Sequence, residues 1–295
     1  MSRRQRICFV VLVSALLAGP TSRESAGLDI VGNFTDFGDP AGFGTGGGNL
    51  VSIFEAAASL WEQVILDDFS VTISYGWEDL DPIGGATLGV HNLVAQSGGR
   101  ETAGQIRFDN NRDWFLDATP ADHTEYLSFA ATNLDVDSVD GLLNTGLVYS
   151  DPTGAAAGRY DLLSVAAHEI GHSLGLSSAN FSYQAESWPD NDVDVTDPLP
   201  YSDAALEIAT SNGSVPATLG TSNAHLATTT ALMFANFSTG SRKLPTGIDI
   251  LANAQISGFT QVNLTAVPEP SSLLLCLLPA GGLGLYGWRR RRRAA

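Results

Sequence analysis

The chain has 295 residues, 44% hydrophobic and only 16% charged, which is enough apolar surface to fill one large core or two ordinary ones. Thirty-two acids against fifteen bases give a formal charge of −17, and nine of the bases sit in the end segments, at Arg3, Arg4, Arg6, Arg23 and Arg289 to Arg293. Residues 27–267 keep six bases against thirty acids, a net of −24 that argues against nucleic acid as a partner and against adhesion to anionic lipid.

Cysteine usage narrows the chemistry further. The only two, Cys8 and Cys276, lie in the apolar end segments. The domain between them therefore has no disulfide scaffold, no thiolate zinc finger and no cysteine nucleophile, and any metal site must be built from His, Asp and Glu.

Taken in chain order, residues 1–26 begin with Met1-Ser2-Arg3-Arg4-Gln5-Arg6 and run into an apolar stretch from Ile7 to Gly19. A basic start before a short apolar run predicts a secretory signal peptide, too short for a stable anchor. Residues 37–49 carry Gly38, Gly42, Gly44, Gly46, Gly47 and Gly48 and read as a flexible lead-in to a single domain over 27–267. Across 49–66, Val51, Phe54, Ala58, Trp61 and Ile65 recur at three- and four-residue steps, which predicts a helix with those side chains on its core face. Residues 69–75 alternate, with Val71, Ile73 and Tyr75 on one side, and 85–94 and 104–109 have the same strand character. A helix is expected over about 160–176, short irregular pieces over 177–244, and a last helix over about 246–256. Strands first and helices after predict an α+β fold.

The chemistry is carried by Ala167-His168-Glu169-Ile170-Gly171-His172-Ser173-Leu174-Gly175-Leu176, which contains an H-E-x-x-H sequence. On a helix, His168 and His172 lie one turn apart on one face, so both imidazoles reach one ion. Glu169 lies about 100° further round, close enough to take a proton from a water at that ion without binding it. Leu163, Ala166, Ile170 and Leu174 form a separate apolar stripe, so the core does not account for the two histidines and the glutamate.

At this helix the chain resembles the zincin metallopeptidases. The resemblance implies a zincin-like fold, with a mixed sheet, a backing helix and the active-site helix, and one catalytic zinc. The metzincin branch places its third histidine three residues after the glycine, and here that position is Ser178. Thermolysin-like zincins use a glutamate on a following helix; Glu186 is the nearest, but it lies among Ser, Trp and Pro without a helical pattern. His225, in Ser222-Asn223-Ala224-His225-Leu226, is the better candidate. The following Ala231-Leu232-Met233-Phe234 resembles the Met-turn beneath the zinc of metzincins and leishmanolysin-like enzymes, and the latter also insert a long segment before a distant histidine ligand. Residues 244–252 fit the final helix of such chains, and Ile106-Arg107-Phe108-Asp109 with Trp114-Phe115 extends the likeness. The resemblance thus implies His168, His172 and His225 as zinc ligands with water in the fourth position, Glu169 as general base, and Met233 as an apolar floor. An acid from 186–197 remains the alternative third ligand. Asp190, Asp192 and Asp194 alternate and could hold calcium, but Val195 replaces the glycine of an EF-hand and Tyr201 holds its twelfth position, so a solvated acidic loop is expected instead. His91 and His123 have no ligand-spaced partner and are expected to be structural or on the surface.

Residues 268–295 close the chain with Pro268-Glu269-Pro270, an apolar run over 273–288 and five arginines. This resembles the PEP-CTERM sorting signal of exosortase-processed proteins in Gram-negative bacteria. The apolar run would pause in the inner membrane while the arginines stay cytoplasmic; a plain C-terminal transmembrane anchor is the alternative. The resemblance implies an exosortase-type processing enzyme as a partner, transient inner-membrane association, and release to the cell surface or outside. The combined expectation is an exported zinc-dependent endopeptidase acting on protein or peptide substrates, with strand 104–109 as the sheet edge that pairs with an extended peptide. Its rivals are a non-catalytic zincin-fold surface or matrix module and a metal-dependent hydrolase of non-peptide bonds.

Overall fold

The computed structural model describes residues 27–39, 41–81, 85, 87–136, 141–186, 192–193, 209–210, 213–214, 217–218 and 224–264. The signal-like segment, the Pro-Glu-Pro segment with its apolar run and arginines, and Asp190 and Asp194 lie outside these residues. Among the described residues, no helix is long and apolar enough to cross a membrane.

The first half builds a four-stranded mixed sheet from β1 (Leu28–Phe34), β3 (Phe69–Glu78), β4 (Gly89–Ser97) and β5 (Arg100–Asp109), in the order β1-β3-β5-β4. β1, β3 and β5 run parallel, whereas β4 is antiparallel to β5 and forms an edge. Gly98 and Gly99 join them in a two-residue turn with φ of +59° and +82°, a pair of positive angles that suits a tight hairpin. The expectation that 104–109 is the edge strand is thereby corrected. Those residues lie in β5, hydrogen-bonded to β3 on one side and β4 on the other. Alternation within a strand shows which side chains share a face, not which neighbours flank the backbone.

Between β1 and β3 runs α1 (Leu50–Glu62), started by Asn49, whose side chain accepts from the Ser52 N–H at 3.0 Å. Its buried stripe is Leu50, Ile53, Phe54, Ala57, Ala58 and Trp61, while Val51, expected on the core face, is 38% exposed at the margin of that stripe. Phe54 stacks on Tyr75 of β3 with ring centroids 3.8 Å apart. The glycine-rich segment is not a loose lead-in either. Its β2 (Gly44–Thr45) pairs with β6 (Trp114–Phe115), which pairs in turn with β9 (Tyr160–Asp161). A side chain at Gly44, Gly46 or Gly48 would collide with the carbonyl groups of Trp114, Leu116 or Asp117, so the glycines permit close backbone contact.

A long antiparallel hairpin follows, β7 (Tyr126–Val136) and β8 (Gly141–Pro152), before α2 (Leu162–Ser173) and the short α3 (Phe181–Glu186). Glu186 thus closes a helical turn that its Ser, Trp and Pro neighbours did not suggest. The short strands β10 (Asp192–Val193), β11 (Ala209–Thr210), β12 (Gly213–Ser214) and β13 (Ala217–Thr218) pair in β10–β13, β11–β12 and β11–β7. β14 (Arg242–Lys243) adds to the outer side of β8, and α4 (Gly247–Ser257) completes the order. α1 and α2 cover the same sheet face, on which Tyr75 meets Phe54 of α1 and Gly104 meets Ser173 of α2. The Trp61 indole N–H donates to the Ala167 carbonyl oxygen at 2.8 Å and fastens the two helices together.

Candidate metal centre

Every residue of α2 is buried, so its position is set by contacts all round rather than by one stripe. Asp161 caps its start, accepting from the Ser164 N–H at 3.0 Å and hydroxyl at 2.6 Å. The same carboxylate takes the Arg242 guanidinium of β14 at 2.9 Å, and Asp117 takes it at 2.6 Å. Although burial opposes its charge, Asp161 and Asp117 hold the Arg242 guanidinium protonated well above the ordinary range. It also donates to His123 Nδ1 at 3.0 Å, and burial, then this cation, push the His123 imidazole down to about 4.

The two histidines of α2 are oriented from behind. His168 Nδ1 donates to the Leu232 carbonyl oxygen at 2.8 Å, and His172 Nδ1 donates to that of Leu176. A carbonyl only accepts, so each Nδ1 carries the proton and each Nε2 presents a lone pair. Burial first, then the neighbouring imidazoles, hold both rings neutral, His168 down to about 3 and His172 well below its usual value. The two Nε2 atoms nevertheless stand 3.1 Å apart. Two acceptors at that distance repel unless a cation lies between them. Two nitrogens on one tetrahedral zinc, each at roughly 2.0–2.1 Å, would lie roughly 3.3 Å apart. The donor set therefore fits a divalent ion.

His225 completes the group. Its ring centroid is 5.1 Å from His168 and 4.9 Å from His172. Among the described residues, His168, His172 and His225 are the one cluster of His, Cys or carboxylate groups able to hold a metal, with ligand atoms all within 4.8 Å of one another.

Beneath α2, Met233 is fully buried, and its sulfur occupies the space that any side chain at Gly171 would need. Leu232 and Met233 are fixed by one carboxylate, Asp249 of α4, which accepts from their N–H groups at 3.2 and 2.8 Å. Asp249 also closes the capping box with Thr246. The sequence marks Thr246 as a helix start but gives no sign of this second task, because Asp249's partners lie 16 and 17 residues back.

Glu169 faces a cleft of about 570 Å³ whose lining includes Leu88, Gly89, Tyr160, Val165, His168, His225, Asn236 and Phe237. Burial alone pushes its carboxyl up to about 8, and a cation at the three imidazoles would draw it back down. The edge strand comes close here: a Cβ on Gly89 would lie 2.7 Å from Glu169 Oε1. His91 sits further along the same strand, its ring 6.1 Å from that of His172 and its Nε2 2.9 Å from Glu101. Neither Gly89 nor the Glu101–His91 pair carried a signal in the sequence, since their partners are brought in by the fold.

A mixed sheet with an antiparallel edge strand, a backing helix and an H-E-x-x-H helix beneath that edge make an α+β arrangement consistent with a zincin-like fold. The family model of the matrixins, metzincin zinc metallopeptidases of the peptidase M10 family, matches residues 54–184, and the PEP-CTERM protein-sorting motif matches residues 266–292. The first match supports a zinc-dependent metallopeptidase acting on protein, and the second indicates export with exosortase processing and surface sorting in Gram-negative bacteria. Comparison with curated proteins and with solved structures gives no significant match. The matrixin match covers α2 but ends before His225, so the third imidazole lies outside it.

Proposed function

We propose that the chain is an exported zinc endopeptidase in which His168, His172 and His225 hold one catalytic zinc and Glu169 is the general base. The observation that carries this reading is the pair of Nε2 lone pairs facing each other at 3.1 Å, with His225 closing the third side. Zinc, when bound, supplies Lewis acidity to the attacking water and to the scissile carbonyl.

The chain's own residues supply the rest. Leu232 and Leu176 fix the tautomers that present Nε2 to the ion. Met233 gives the site an apolar floor and keeps water from behind it. Glu169, buried on the cleft wall, takes the proton of the attacking water and delivers it to the departing amine. Among the described residues no strand pairs with the outer edge of β4, whose Gly89 lines the cleft, and an extended peptide adds to that edge as a further strand. This substrate role moves from 104–109 to residues 89–97. The exosortase-type cut, transient inner-membrane association and release outside the cell belong to the same proposal and rest on the sorting motif. A purely structural ion would need no carboxylate on the cleft wall, which favours turnover over a non-catalytic module.

Replacing Glu169 by Ala is expected to preserve one zinc per chain and to lower peptide cleavage by about 10²–10⁴-fold. Elemental analysis beside a peptide-library assay checks both halves. A Glu169→Ala protein that cleaves like the parent, or chelator-insensitive cleavage by the parent, contradicts the mechanism.

A further inference from the structure

His168 and His172 are fixed by a helix, but His225 comes from a segment that returns to the site more than fifty residues later. Its backbone is held in an unusual way. Ala224, just before it, is buried and has φ of +66°, in the left-handed region that a Cβ disfavours. Such a conformation persists only where the surroundings impose it. Here the Ala224 N–H donates to the Tyr183 phenol oxygen at 2.8 Å. Tyr183 is itself buried in α3, whose first turn is capped by Asn180 Oδ1 accepting from the Ser182 and Tyr183 N–H groups at 2.8 and 3.2 Å. On the other side of His225, the Leu226 N–H donates to the Met233 carbonyl oxygen at 2.8 Å.

We propose that Tyr183 is a positioning residue for the third imidazole: its phenol oxygen holds Ala224 in the left-handed conformation and so aims His225 at His168 and His172. This rests on the reading of His225 as a metal ligand. The bond spans 41 positions and joins α3 to the returning segment. A ligand on an untethered return would have to lose its backbone freedom when the ion binds, and affinity would fall accordingly. The ring alone would fill the core as well in phenylalanine, so the hydroxyl is the part assigned to the site.

Zinc affinity measured by chelator competition on the parent, Tyr183→Phe and His225→Ala, with the visible spectrum of each cobalt(II)-loaded form, tests the assignment. Tyr183→Phe is expected to bind zinc about 10–100-fold more weakly than the parent, the usual cost of losing a group that orients a ligand. Its cobalt bands should move toward those of His225→Ala, while the metal-free thermal midpoint falls by no more than one lost buried hydrogen bond explains. If His225→Ala binds as tightly as the parent, the ligand reading itself fails. If His225→Ala is weakened but Tyr183→Phe keeps the parent's affinity and cobalt spectrum, the positioning role alone is wrong. A lowered midpoint with an unchanged cobalt spectrum assigns Tyr183 to packing and also overturns it. Hydrogen exchange in the metal-free parent needs no variant: the Ala224 amide should exchange slowly, and exchange at the rate of an unprotected amide contradicts the proposal.

Discussion

Gly89 shows how little room surrounds Glu169. A methyl group there would stand 2.7 Å from Oε1 and 2.8 Å from Cγ, so the carboxylate must move. Gly89→Ala is therefore expected to leave zinc content intact and to lower kcat by about 10²-fold, the scale of a roughly 1 Å misplacement of a reacting group. Steady-state kinetics with elemental analysis checks this; unchanged kcat would show that Glu169 has freedom the packing denies it. Protonation adds a second expectation. His168 is held down to about 3 and His123 to about 4, against an ordinary 6.5, chiefly by burial. In the metal-free protein their contribution is present above that ordinary value and disappears as pH falls through the folded values, because the unfolded chain binds the protons first. Glu169 acts in the opposite direction: raised from 4.5 to about 8, it removes stability as pH rises across that interval. Denaturant titrations of metal-free Glu169→Gln protein, which lacks that opposing contribution, should show the acid loss, and flat stability from neutrality to pH 4 would contradict the burial of these imidazoles. At this scale the sequence was informative about His168, Glu169 and His172, since helical spacing alone places them. His225 needed the likeness to zincins, and Gly89, Tyr183 and Asp249 were silent because their partners are distant in the chain.

Among elements, α2 depends on a connection that no local pattern announces. Its capping residue Asp161 is shared with Arg242, a fully buried guanidinium that also pairs with Asp117 at 2.6 Å. Replacing Arg242 by Met leaves two buried carboxylates without their cation and is expected to cost about 3–5 kcal/mol, read as a lower denaturation midpoint. A loss below about 1 kcal/mol would mean that the pair behaves like a surface ion pair. The element pattern itself was partly legible. The helices at α1 and α2 follow from apolar spacing and α4 falls where a last helix was expected, while the hydrogen bonds that cap α1 at Asn49 and α4 at Thr246 are seen only in the fold. The β4 edge and the pairing of the glycine-rich β2 were not, because both depend on which backbone lies alongside.

Across the whole molecule, charge has a direct consequence for substrates. All six bases of residues 27–267 are already engaged. Arg107, Arg112, Arg159 and Arg242 pair with Glu78, Asp81, Asp113 and Asp117. Arg100 donates to the Ser257 and Gly258 carbonyl oxygens, and Lys243 to those of Thr229 and Asn236. The six cations are thus held in local contacts, and the long-range field is that of the remaining net charge of −24. For peptides sharing one cleavage site, lysine-rich flanks should give kcat/KM at least about 10-fold above glutamate-rich flanks at low salt, with the gap closing as ionic strength rises. Equal, salt-independent values would show that the field does not reach the cleft. The central claim concerns the metal itself, and X-ray absorption of the zinc-loaded parent tests it most directly. Three imidazole nitrogens and one oxygen at roughly 2.0–2.1 Å are predicted, whereas a shell with only two imidazoles would contradict the account.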